Sequence, residues 1–241
     1  MTQIRENIAR VQANIADACA RAGRSTGDVT LVAVSKTHPP EAVLEAVEAG
    51  LQHFGENRVE ESAHKLPIVN AQAKVPLTWH MVGHVQSRKA KDVAPLFQVV
   101  HSVDSLKLAN KLAEALPEGK QLDVFIEVNV SGEVSKAGLN AAEWRTDNAV
   151  RENLVQQFRE FIAVPKLNII GLMTMAPIVD DPEVARPVFI SLRELRDSLE
   201  EALSQPLPHL SMGMTDDYTV AIEEGATMVR IGRAIFGERL R

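Results

Sequence analysis

The apolar positions of the chain change period along its length. Over residues 2–23 they fall at Ile4, Ile8, Val11, Ile15, Ala18 and Ala22, the spacing of one buried helix face, with Gly23 as the stop. From Thr30 onward, short apolar runs alternate with longer amphipathic stretches. Runs at 30–35, 51–56, 77–83, 97–103, 121–130, 167–175, 209–214 and 226–232 predict eight strands. Most are continuous rather than alternating, as strands covered on both faces are. Helical patterns at 40–50, 57–66, 87–94, 105–116, 141–163, 182–203 and 216–224 separate each consecutive pair. The polar, glycine-containing start of 131–150 reads as a mobile loop.

Eight strand–helix units in 241 residues predict a (β/α)8 TIM barrel, one domain spanning 1–241. An open doubly wound sheet is the alternative. Only nine residues follow Gly232, so the helix at 2–23 is expected to cover the gap left after the last strand.

Composition narrows the class without choosing the function. A chain that is 45% hydrophobic and 24% charged is ordinary globular protein. A net charge of −6 argues against nucleic acid as partner, because phosphate backbones need a basic face. Cys19 is the sole cysteine, which excludes an internal disulfide and a cysteine metal cluster within one chain. The charged start reads as no signal peptide, and no apolar run approaches the roughly 20 residues of a membrane helix. A soluble, cytoplasmic protein is expected, with no membrane partner.

In barrels of this kind the chemistry sits at the C-terminal ends of the strands. Lys36 ends the run "LVAVSK", and two readings stand for it. It is a rim cation whose stem packs on the barrel, or its amine attacks a carbonyl, either of a substrate or of pyridoxal phosphate (PLP). Farther along, "SMGMTDD" and "RIGR" offer Ser211, Gly213, Gly232 and Arg233. A hydroxyl and glycine turns after the last two strands suit a phosphate. Alternatively, those glycines only make tight turns. His80 and His84 are four apart but flank Gly83 and belong to no metal motif, so no metal is expected. The basic stretch Ser87–Lys91 reads as a solvated helix start.

The motifs "AVSKTHP" (33–39), "FGENRVEE" (54–61), "WHMVGHVQSRK" (79–89), "GLMTMAP" (171–177), "SMGMTDDY" (211–218) and "VRIGRAIFGER" (229–239) occur in this order. With them the chain resembles the PLP homeostasis protein family, single-domain relatives of the alanine racemase N-terminal barrel. Arg88-Lys89 departs from the Asn-Lys common there. The resemblance implies PLP held as an internal aldimine on Lys36, with Arg230 facing the pyridine nitrogen. It implies a phosphate held by Ser211 and the backbone N–H groups around Gly232 and Arg233, with Gly213 in the same turn. Asn57 is expected near the ring substituents, and His80 and Met173 along the pocket. The role implied is that of a carrier of PLP, with apo-enzymes as receivers and an indirect part in amino-acid and keto-acid balance, rather than an enzyme.

The rival functions are a weak PLP-dependent racemase and a cofactor-free Schiff-base lyase. A racemase of this type needs a second acid/base, a tyrosine from a second domain. Here Tyr218 is the only tyrosine, expected on the first turn of a helix and facing away from the ring. A monomer is expected.

Overall fold

Residues 2–238 are described by the computed structural model. The strands are β1 (Thr30–Val34), β2 (His53–Glu56), β3 (Thr78–Met81), β4 (Val99–Val103), β5 (Leu122–Asn129), β6 (Leu139–Asn140), β7 (Leu167–Met173), β8 (His209–Ser211) and β9 (Met228–Ile231). All except the two-residue β6 form a parallel sheet closed on itself, since β1 pairs with β9 as well as β2 and β4 pairs with β5. The seam is in register from Thr30↔Met228 to Ala33↔Ile231. Closure leaves no barrel strand with an unpaired edge, which settles the architecture as the (β/α)8 barrel and not the open sheet.

The helices are α1 (Gln3–Arg21), α2 (Pro40–Glu48), α3 (Val59–Gln72), α4 (Ala90–Val93), α5 (Leu106–Ala115), α6 (Asn148–Ile162), α7 (Arg186–Leu203), α8 (Tyr218–Glu223) and α9 (Arg233–Phe236). Helix α1 buries Ile8, Val11, Ile15 and Ala18 and packs on α8, α9 and α2, covering the seam as its periodicity predicted. Polar anchors fix it there. Asn7 Nδ2 donates to Ile235 O (2.9 Å) and Asn14 Nδ2 to the Tyr218 hydroxyl (3.0 Å).

Several boundaries differ from the sequence pattern for local reasons. The stretch 141–147 is not helical. Asn140 pairs with Asn129, and Trp144 is buried with its indole N–H on Ser191 Oγ (3.0 Å). Helix α6 starts only after Asp147, whose carboxylate caps Ala149 N (2.7 Å). The apolar positions there belong to an anchored turn. Helix α3 runs on through Pro67, beyond the expected stop at 66, because Leu66 and Val69 are both buried against the barrel. The run 209–214 leaves the sheet after Ser211, and Gly213 turns it with φ +93°. The short α9 lies where no helix was expected.

The core has two layers. Leu, Val, Ile and Phe side chains fill the space between strands and helices, while Val99, Phe125, Met173 and Met228 pack inside the barrel. The rest of the interior is polar: His80, His101, Ser211 and Arg230 are all buried. Branched apolar residues usually fill that space. No helix among the described residues is long and apolar enough to cross a membrane.

On the β7–β8 boundary, a Cβ at Gly171 would overlap the His209 carbonyl. Gly171→Ala is therefore expected to destabilise the barrel by roughly 1–3 kcal/mol or more, measured as a shift in the urea midpoint at unchanged slope.

Candidate functional site

Lys36 leaves the barrel just past β1, half-buried. Its neighbours are clamped. Ser35 N donates to Gly55 O (2.9 Å) and His38 N to Ser35 O (3.1 Å), closing a turn in which Thr37 has φ +66°. A left-handed threonine is costly and must be held from outside. The hold comes from α3. Glu61 Oε1 accepts from Thr37 N (2.7 Å) and from Lys65 Nζ (2.7 Å), and Lys65 Nζ also donates to Ser35 O (2.9 Å) and to Glu56 Oε1 (2.8 Å). The Ser35 hydroxyl donates to the same Glu56 oxygen (2.7 Å). Glu56 is fully buried, and burial pushes its carboxyl up while Lys65 and Ser35 pull it back. The His38 ring stacks on Phe236 of α9 (5.1 Å), tying this turn to the far end of the chain.

Asn57 follows β2 as Lys36 follows β1, so the two stand on neighbouring strand ends. Its Oδ1 is buried without a hydrogen-bond partner among the described residues. Gly83 lies so close that a Cβ there would come 2.7 Å from Asn57 Cα. Across the seam, Gly213 accepts from Arg230 N (3.0 Å), and a Cβ on Gly232 would stand 3.1 Å from Val34 O. Arg233 is exposed, with its guanidinium on both Asp216 oxygens (2.6 Å).

Arg230 is fully inside the barrel, level with Val32 of β1. Its guanidinium donates to Ser211 Oγ (2.6 Å) and to Thr174 O (3.0 Å). Burial pulls it down to about 10, with Asp217 and Glu127 pulling the other way, so it remains a cation at neutral pH. Below it runs a column of rings. Ser211 Oγ lies 2.7 Å from His101 Nδ1, His101 Nε2 lies 2.8 Å from His80 Nδ1, and His80 Nε2 lies 3.0 Å from His53 Nδ1. Burial and the ring below push His80 down to about 3. The same burial takes His101 well below its ordinary value, and burial alone lowers His53.

A cavity of about 230 Å³ opens on the other half of the rim, between the ends of β3, β4, β5 and β7. Glu127, Asn129, Lys136, Met173 and Thr174 line it. Met173 thus reaches a pocket, whereas His80 lies deep in the barrel. Asn129 spends its side chain on the turn after β5, accepting from Ser131 Oγ (3.0 Å) and Gly132 N (3.1 Å). His84 is exposed beside Asp104 (3.3 Å), far in character from the buried His80, and no metal-ligand cluster is found among the described residues. In the basic stretch after β3, Lys89 pairs with Glu60 (2.6 Å) at a short helix start. Tyr218 is on the first turn of α8, as expected, and is buried under α1.

Sequence reasoning missed Glu56, Glu61, Lys65, His53 and His101. The i,i+4 spacing of Glu61 and Lys65 was a visible signal. Nothing in the local pattern marks the histidines, which meet only when β2, β3 and β4 pair.

The chain matches the family described as "Alanine racemase, N-terminal domain" over residues 7–240. It is 42% identical to the pyridoxal phosphate homeostasis protein of Aquifex aeolicus, covering 97% of both chains. It is 43% identical to that of Pseudomonas aeruginosa, covering 99% of this chain and 97% of the relative. PipY of Synechococcus elongatus, solved with PLP bound, superimposes with a TM-score of 0.79 at 34% identity, over 98% of this chain and 100% of PipY. An alanine racemase of Clostridium difficile shares the fold at 18% identity (TM-score 0.68), with 98% of this chain covering 56% of that one.

Two expectations follow from the geometry. Lys65→Ala strands Glu56 in the interior, so a loss of about 3–5 kcal/mol in unfolding free energy is expected by urea titration. For His80, the unfolded chain takes up a proton below about pH 6.5 and the folded chain does not, so acid favours unfolding. Wild type should therefore lose stability relative to His80→Gln by up to about 1.4 kcal/mol per pH unit as pH falls from about 6.5 towards about 3, read from urea midpoints at each pH.

Proposed function

The chain belongs to the alanine racemase N-terminal-domain family, and from that premise we propose that it binds PLP on Lys36 and acts in PLP homeostasis as a carrier of the cofactor. The observation that carries this is the placement of Lys36 just past β1 and Arg230 on the adjacent β9 of one closed barrel, with the glycine turns of β8 and β9 beside them. The residues fit the group. Asn57 keeps a buried oxygen unspent at the rim, and Gly232 lets the backbone come close where a phosphate would lie. When bound, PLP supplies an aldehyde that condenses reversibly with a primary amine, and a phosphate that anchors it.

The chain's own residues divide the work. The Glu56–Lys65–Glu61 cluster fixes the turn that presents Lys36. Lys36 offers the amine. Gly213, Gly232 and the Arg233 backbone form the phosphate turn, with Ser211 beneath it. Asn57 borders the ring. Arg230 sets a permanent cation inside the barrel, and a cation facing a pyridine nitrogen disfavours its protonation. That weakens the electron-sink character on which PLP enzymes depend.

Among the described residues, Tyr218 does not stand where a racemase would use a tyrosine as second acid/base. The Tyr218 hydroxyl accepts from Asn14 in the outer helical layer. We therefore read the protein as a non-catalytic PLP carrier, releasing its cargo by amine exchange at Lys36. Apo-enzymes that use PLP are the proposed receivers.

Protein purified without added cofactor should absorb in the visible range, and borohydride should leave a pyridoxyl mass on Lys36 that Lys36→Ala lacks. Transfer of PLP to an apo-enzyme should outpace any amino-acid turnover. A colourless protein that stays unmodified after PLP is supplied would overturn the reading in favour of a cofactor-free lysine. Racemisation faster than transfer would make it an enzyme.

A further inference from the structure

The column His53–His80–His101 connects Ser211 and Arg230 to the opposite end of the barrel. His53 opens β2, and its half-buried ring lines a surface hollow of about 480 Å³ shared with Gln12, Thr30 and Gln52. No carboxylate intervenes in the column. Each contact joins one ring nitrogen to one other polar atom, at 2.7–3.0 Å.

The direction of these bonds follows from Arg230. A guanidinium only donates, so Arg230 Nη1 takes a lone pair of Ser211 Oγ (2.6 Å). Ser211 is wholly buried, and a hydroxyl hydrogen aimed at nothing is penalised. The acceptor within reach is His101 Nδ1 at 2.7 Å. A neutral imidazole that accepts at Nδ1 carries its proton on Nε2. His101 therefore donates to His80 Nδ1, His80 in turn donates to His53 Nδ1, and His53 presents Nε2–H at the lower end.

We propose that Arg230 fixes the direction of a relay, Ser211–His101–His80–His53, which in turn holds the guanidinium and commits the Ser211 hydrogen to His101. All four act as positioning residues through Arg230. Ser211 then lies beneath the phosphate turn without donating to the phosphate, which is left to backbone N–H groups. That last point rests on the PLP reading above; the relay itself does not.

The test is NMR of protein carrying 15N-labelled histidine, in which long-range couplings distinguish Nδ1–H, Nε2–H and imidazolium. Without cofactor, His53, His80 and His101 are all expected as Nε2–H near neutral pH. An Nδ1–H form or an imidazolium at His80 or His101 overturns the relay. Ser211→Ala should bring a second tautomer into His101 and Ser211→Thr should not; a pure Nε2–H His101 in Ser211→Ala would show that Arg230 does not set the direction.

Added PLP should shift the His101 resonances while leaving every ring Nε2–H. Reversal of the rings to Nδ1–H would mean that the phosphate takes the serine hydrogen, and would overturn its commitment to His101. Unmoved resonances would count against PLP binding and leave the relay standing. Loss of alignment should also weaken PLP binding by about tenfold in His80→Leu, while His80→Gln, which can accept and donate in line, stays close to wild type. Equal losses in the two variants would reduce His80 to packing and sink its positioning role.

Discussion

A guanidinium buried without a carboxylate at hydrogen-bond distance among the described residues is the constraint around which the barrel interior is organised. Arg230 meets a serine oxygen and a backbone carbonyl, and Glu127 and Asp217 act on it only through space. Such a charge is tolerable only where oriented dipoles replace water. The interior obliges by giving up packing space to hydroxyl and imidazole groups. The stack of His101 on Phe125 (4.6 Å) shows how one ring serves both purposes, apolar on its face and hydrogen-bonded at its edge. The burial that keeps these rings neutral also keeps them usable as alternating donors and acceptors.

At the rim the design is different. The turn carrying Lys36 is fixed by full charges, Lys65 between Glu56 and Glu61, grouped on the outer side of β2 under α3. The cluster does not stabilise the fold cheaply, because Glu56 is completely desolvated. What it gives is geometry, since three of its bonds end on Ser35 or Thr37, the residues on either side of Lys36. The barrel thus separates a neutral relay inside from an ionic brace outside.

The barrel class was legible because its evidence is local and repeated: eight apolar runs, each followed by a helical period or a turn. Lys36, Gly213 and Gly232 were legible as strand-end residues for the same reason. Boundaries failed where a tertiary anchor overrode the pattern, as at Trp144, whose bond to Ser191 holds a turn in place of helix. The column was illegible because His53, His80 and His101 lie 27 and 21 residues apart, each a lone histidine in an apolar run. Only the strand register makes them consecutive. Glu56 misleads in another way, since a glutamate after an apolar run looks like a strand end facing water until Lys65 is folded over it.

The seam between β1 and β9 joins the first strand of the barrel to the last. Lys36 is synthesised well before Arg230, so the nascent chain carries an open sheet with β1 as a bare edge until β9 is made. Nothing assembled before β9 emerges can hold Arg230 or the Gly232 turn against Val34. The junction of Lys36, Arg230 and the Gly232 turn is therefore completed late. A chain stalled before β9 would carry Lys36 with neither Arg230 nor the Gly232 turn beside β1.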